Sequence, residues 1–122
     1  MQPEDRDAAF LWDMLQACEE IAEFTRGVSY SAFEGDRKLR YAVERQLLVV
    51  GEAANHVSSP FRESHPEVDW ANIVGLRNVL AHEYGEVLVE RVWVVAREQV
   101  PQLVRFLKHL VPEPPRDTDG QP

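Results

Sequence analysis

The run Gly75-Leu76-Arg77-Asn78-Val79-Leu80-Ala81-His82-Glu83-Tyr84 gathers a guanidinium, an amide, an imidazole and a phenol into a short stretch. An imidazole titrates near neutral pH, so His82 can take up or release a proton during a reaction. A guanidinium offers a planar fork of donors, which suits Arg77 to a phosphate or to charge building on a reacting oxygen.

Read as a helix with a 100° step and Arg77 at 0°, the run places Ile73, Leu76 and Leu80 between about 260° and 320°, which defines a core-facing side. Asn78 and His82, four residues apart, fall near 100° and 140°, almost opposite Leu80 and close enough to act on one ligand. Tyr84 falls within about 20° of Arg77, two turns along. Ala71, Gly75 and Gly85 share the sector of His82, so the surface around the imidazole is bare. A second protein chain, an RNA backbone, or both can approach such a surface closely. Arg77 and His82 point about 140° apart, so one copy of the helix cannot easily aim both at a single phosphate, whereas two copies can.

The elements that must position these residues are helical. Apolar side chains from Phe10 to Phe24 recur at three-and-four spacing and predict a helix over about Asp7 to Thr25, stopped by Gly27. A turn-like stretch follows from Val28 to Gly35. A long helix is then expected over about Asp36 to Val57, through Leu39, Val43, Leu47, Val50 and Ala54, ended by Ser58, Ser59 and Pro60. Asp69 can cap a third helix running from Trp70 to about Tyr84 and closing near Gly85. A fourth pattern runs from about Leu88 to Leu110, and Pro101 inside it predicts a sharp kink or two helices meeting. The expected architecture is all-α, an up-and-down bundle of four to five helices in one domain over residues 1–111. Residues 112–122, with four prolines, read as a disordered tail. Within the long second helix, Gly51-Glu52-Ala53-Ala54-Asn55 combines small and polar residues, which suits close packing on the third helix with Glu52 or Asn55 hydrogen-bonded to it. Trp12, Trp70 and Trp93 read as core or interface anchors rather than base-stacking platforms.

Composition narrows the function. The chain has 122 residues, 44% of them hydrophobic and 28% charged, the balance of one globular domain. Cys18 is the sole cysteine, so no intrachain disulfide or cysteine zinc site forms within one copy. The start of the chain is polar and acidic, unlike a signal peptide, and no segment reaches the roughly 18 unbroken apolar residues of a membrane span. A cytoplasmic protein is expected. His56, His65, His82 and His109 show no ligand spacing, and Glu83 and Glu86 do not converge with a His pair, so neither a metal nor a cofactor is expected. The net charge of −8 argues against tight free-standing RNA binding, which draws on a basic surface. Arg37, Lys38, Arg40 and Arg45 nevertheless cluster in sequence, and Arg77 can join them in the fold.

Arg77 to Tyr84 resembles the Arg-polar-x3-His signature of HEPN ribonucleases, in the extended form with Tyr two residues after His that marks HepT-like toxins of type VII (HepT/MntA-like) toxin–antitoxin systems. The likeness covers roughly residues 5 to 111. It includes Arg45-Gln-Leu-Leu-Val-Val-Gly-Glu-Ala-Ala-Asn55, His65-Pro66, Asp69-Trp70 and Gly75-Leu76 in the same order and spacing. The resemblance implies a bundle that dimerises through the signature helix and a composite site that cleaves RNA by attack of the ribose 2′-OH on the adjacent phosphate. On that reading His82 is general base or acid, Arg77 stabilises the phosphorane, and Asn78 orients His82 or the phosphate. Glu52 and Asn55 support them. The resemblance also implies a small nucleotidyltransferase antitoxin (MntA-like) that adenylylates Tyr84. Bulk and negative charge would then sit beside Arg77 and silence the site. Glu83 adds a negative charge next to the imidazole, able to weaken RNA contact or raise its pKa. The alternative, favoured by the acidic charge, is a non-catalytic HEPN-like module that binds a nucleotide or serves as scaffold for a minimal nucleotidyltransferase.

Overall fold

The computed structural model describes residues 5–111. The tail expected at 112–122 therefore lies outside the described residues. Within them the chain forms helices α1 (Asp5–Thr25), α2 (Tyr30–Gly35), α3 (Arg37–His56), α4 (Ser59–Ser64), α5 (Trp70–His82), α6 (Gly85–Val94) and α7 (Val100–Leu110), with a π-helical segment Val95–Gln99 joining the last two. No strand occurs among the described residues. The bundle is all-α, with four long rods, α1, α3, α5 and α6–α7, and two short helices in the connections. No helix of the described residues is long and apolar enough to cross a membrane.

The caps explain where the helices start. Asp36 accepts from the backbone N–H of Leu39 to open α3, Ser58 from Phe61 to open α4, and Asp69 from Asn72 to open α5. The stretch read as a turn around Val28 to Gly35 is instead a short helix. Ser29 caps it through the N–H of Ala32, and it carries Phe33, which is fully buried in the core.

Helix α1 packs along α3 and α7, and α5 lies on α3. The shared core holds Leu11, Met14, Cys18 and Ile21 of α1, Val43, Leu47 and Ala54 of α3, Ile73 and Leu76 of α5, and Leu107 of α7. Asp7 is buried at the start of α1, and its carboxylate accepts from the backbone N–H and the hydroxyl of Ser58 at 2.8 and 2.6 Å, tying α1 to the start of α4. Such a buried acidic group is tolerated because its oxygens are hydrogen-bonded. The tryptophans act as anchors: Trp70 is buried and donates its indole N–H to the carbonyl of His65, and Trp93 packs on Tyr30 and Phe33.

Pro101 is accommodated at the junction of α6 and α7 by the wider π turn, in which Val100 donates to the carbonyl of Val95, five residues back. Proline lacks an N–H and its ring crowds the carbonyl four residues earlier, so a register one residue wider just before it relieves both demands.

Candidate functional site

Helix α5 carries the polar run, and it ends earlier than its apolar spacing predicts. Its last residue is His82, and the N–H of Glu83 closes the final turn on the carbonyl of Val79. Glu83 and Tyr84 are extended, with φ −100° and −156°, and Gly85 opens α6 at φ +72°. Tyr84 therefore does not continue the stripe of Arg77, and Gly85 does not belong to the bare sector of α5. Gly85 was expected to close a helix. It instead starts one, because its freedom at positive φ lets the chain turn between two helices within two residues.

The core side of α5 is as expected for Ile73 and Leu76, which are buried, while Leu80 is half-buried nearer the helix end. Arg77 lies at the seam with α3. Its Nε stands 2.8 Å from Oε1 of Glu52, and both side chains are part-exposed. Because Nε is engaged, the two terminal nitrogens of the fork remain for a further acceptor.

Gly51 makes that seam close. A Cβ there would sit 3.2 Å from the carbonyl oxygen of Ile73 and 3.3 Å from Cγ of Arg77. The small-and-polar segment of α3 thus does pack on α5, through Gly51 and Glu52. Asn55 is exposed and makes no side-chain hydrogen bond among the described residues.

Asn78 and His82 are exposed on the face away from α3, and neither makes a side-chain hydrogen bond or ion pair within the described chain. Gly75 lies in the same sector, and a Cβ added to it would meet nothing within 4 Å. One copy of α5 therefore presents Arg77 at the seam with α3 and His82 toward open space. Tyr84 is 82% exposed, so its ring is not packed at the helix end and its hydroxyl is accessible.

Glu83 does not stand free beside the imidazole. Its Oε2 is 3.0 Å from Nη1 of Arg91 on α6, and its Oε1 is buried. The carboxylate is thus countered by a guanidinium and clamps the Glu83–Tyr84 turn onto α6. Arg91 was not singled out in the sequence, since a partner eight residues on across an unrecognised turn leaves no periodic signal.

Among the described residues no three His, Cys, Asp or Glu side chains converge as a metal site would require. The Cys18 thiol is fully buried, and desolvation, with Glu19 adding to it, pushes its pKa up to about 12. It is not a nucleophile.

The model of the family described as "Ribonuclease HepT-like" matches residues 14–110. A protein of Methanocaldococcus jannaschii named "Putative RNase MJ1380" is 39% identical over 95 residues, covering 78% of this chain and 87% of that protein. "Probable ribonuclease HepT" of Thermococcus cleftensis is 36% identical over 94 residues, covering 77% and 86%. No solved structure matches the chain significantly.

Proposed function

The chain belongs to the HepT-like ribonuclease family, and from that premise we propose that it is a metal-independent endoribonuclease toxin of the cytoplasm, active as a homodimer and silenced by adenylylation of Tyr84. The reading rests on one observation above others: the family match spans Arg77, Asn78 and His82, the residues whose chemistry suits RNA cleavage.

In the proposed reaction a ribose 2′-OH attacks the neighbouring phosphorus, the P–O5′ bond breaks, and a 2′,3′-cyclic phosphate and a 5′-OH result. His82 serves as general base or acid, taking the 2′-OH proton or giving one to the departing O5′. The free end of the Arg77 fork, with Nε held by Glu52, stabilises charge on the phosphorane. Asn78, one residue on, orients the phosphate or the imidazole. Two copies of α5 meeting across the bare sector around Gly75 bring His82 of one copy toward Arg77 of the other.

Tyr84 suits regulation because its hydroxyl is accessible on the turn that follows His82. A nucleotide esterified there by a small nucleotidyltransferase (MntA-like) adds bulk and anionic charge at the mouth of the site.

Purified protein incubated with RNA in EDTA tests the activity. Wild type is expected to leave cyclic phosphate ends, with His82→Ala and Arg77→Ala each slower by about 10²–10⁴-fold. Intact RNA after incubation with the unmodified wild type refutes the enzyme reading. It would favour the alternative of a non-catalytic nucleotide-binding or scaffold partner of the nucleotidyltransferase, which the net charge of −8 supports.

A further inference from the structure

We propose that the exposed face of α3 is a track along which single-stranded RNA is laid toward Arg77. This rests on the ribonuclease reading and adds to it where the substrate lies outside the reacting groups.

On α3 the residues Arg37, Tyr41, Arg45, Leu48 and Glu52 fall within about 80° of one another around the helix axis, on the side away from Val43, Leu47 and Val50. Arg37 and Arg45 are exposed, as is Lys38 at the border, and none of the three makes an ion pair among the described residues. Tyr41 lies between the two arginines, one turn from each, and is 58% exposed. The stripe ends at Glu52, the residue holding Arg77, about 22 Å from Arg37 along the helix. A cationic row with an exposed aromatic ring inside it thus leads to the guanidinium proposed to meet the phosphorane.

Single-stranded RNA fits this face better than other occupants. Phosphates pair with arginines spaced a turn apart on either side of a ring, and a base can stack on the ring whatever its identity. A charged helix face is ordinarily only solvated, but this one gathers free cations in a chain of net charge −8. Glu19, Glu20 and Glu23 stand on α1, where Glu20 accepts from Gln46 on the flank of α3 facing α1, and Glu34, Glu86 and Glu90 gather around Tyr30. Two acidic residues share this side of the helix: Glu52 is taken up by Arg77, and Glu44, at the border beside Arg37, is half-buried with Arg40 as its neighbouring opposite charge. The exposed cations Arg37, Lys38 and Arg45 thus outnumber the acidic residues on this face, so phosphate is attracted to it despite the acidic chain.

The test uses the full chain and a fluorescein-labelled single-stranded RNA of mixed sequence. Binding is measured in the His82→Ala background, and cleavage in the wild-type background. Arg37→Glu with Arg45→Glu is expected to raise KM at least tenfold with kcat little changed, and to reduce the slope of log affinity against log salt by about 1.4, the share of two phosphate contacts. Tyr41→Ala is expected to weaken binding about tenfold, and Tyr41→Phe to restore it, because stacking needs the ring and not the hydroxyl. If wild type cleaves this RNA and the double reversal leaves KM and the salt slope unchanged, the track is refuted while the ribonuclease reading stands. If the double reversal instead dissociates a dimer on gel filtration, the face belongs to a second copy and the RNA assignment is wrong. A wild type that neither binds nor cleaves the RNA refutes the ribonuclease reading itself.

Discussion

Glu52 Oε1 lies 2.8 Å from Nε of Arg77, so a carboxylate on α3 fixes the guanidinium of α5 by the one nitrogen that does not belong to its terminal fork. The pair is part-exposed and contributes little to stability. Its consequence is orientation: a long, flexible side chain is held at its neck while its outer donors stay free. Glu52→Ala is therefore expected to lower kcat about tenfold with the fold intact, and Glu52→Gln, which still offers an acceptor to Nε, to recover most of it. Equal loss in both variants would mean that charge, not orientation, is what Glu52 supplies.

Gly51 and Gly75 respond oppositely to the same change. A helical Gly→Ala ordinarily stabilises by about 0.5–1 kcal/mol. At Gly75 the added methyl meets open space, so Gly75→Ala should raise the denaturation midpoint. At Gly51 the methyl meets the backbone oxygen of Ile73 at 3.2 Å, and α5 must move away. Overpacking of this kind costs about 1–3 kcal/mol, so Gly51→Ala should melt lower despite its better helix propensity. Urea titrations of both variants decide the matter.

The proposed composite site has a mixing test. Arg77→Ala and His82→Ala are each inactive on this reading, but a heterodimer of the two retains one site with both wild-type groups. Random reassortment should recover about a quarter of wild-type activity. An inert mixture that gel filtration shows to be dimeric would place both groups in one copy's site. Gly75→Leu, which blocks the bare face, should abolish cleavage together with dimerisation.

Co-expression with the proposed nucleotidyltransferase partner should leave adenylate on Tyr84, read by peptide mass spectrometry. Tyr84→Phe should escape modification and remain toxic to growth in the presence of the partner. A modification found on Tyr30 or Tyr41 instead would refute the assignment.

Cys18 should be inert. Its pKa stands at about 12 rather than the ordinary 9.0, and only the thiolate reacts, so below that range almost no nucleophile exists. Thiol reagents at neutral pH should label it only after denaturant is added. Fast labelling of the native protein would contradict a sealed α1 core.

The sequence by itself determined the helical class and most of the core faces of α1, α3 and α5, Phe24 at the exposed end of α1 excepted, and it singled out Arg77, Asn78 and His82 as candidates, because each is written in local periodicity or in residue type. Asp69 announced the start of α5 through its own side chain, and Pro101 announced a disturbance in the last rod. Tertiary structure decided what depends on partners distant in the chain. The π turn before Pro101 is a choice among ways of avoiding one clash, and the short helix that Ser29 caps is anchored by the burial of Phe33 against distant parts of the chain. Gly85 reads as a helix stop in sequence, yet the fold uses its positive φ to begin α6, which takes Tyr84 off the line of Arg77. Glu83 and Arg91, like Glu52 and Arg77, are joined across separate elements. Helical spacing specifies the angle at which a side chain leaves its own axis, and only the packing of one axis on another specifies what that side chain meets.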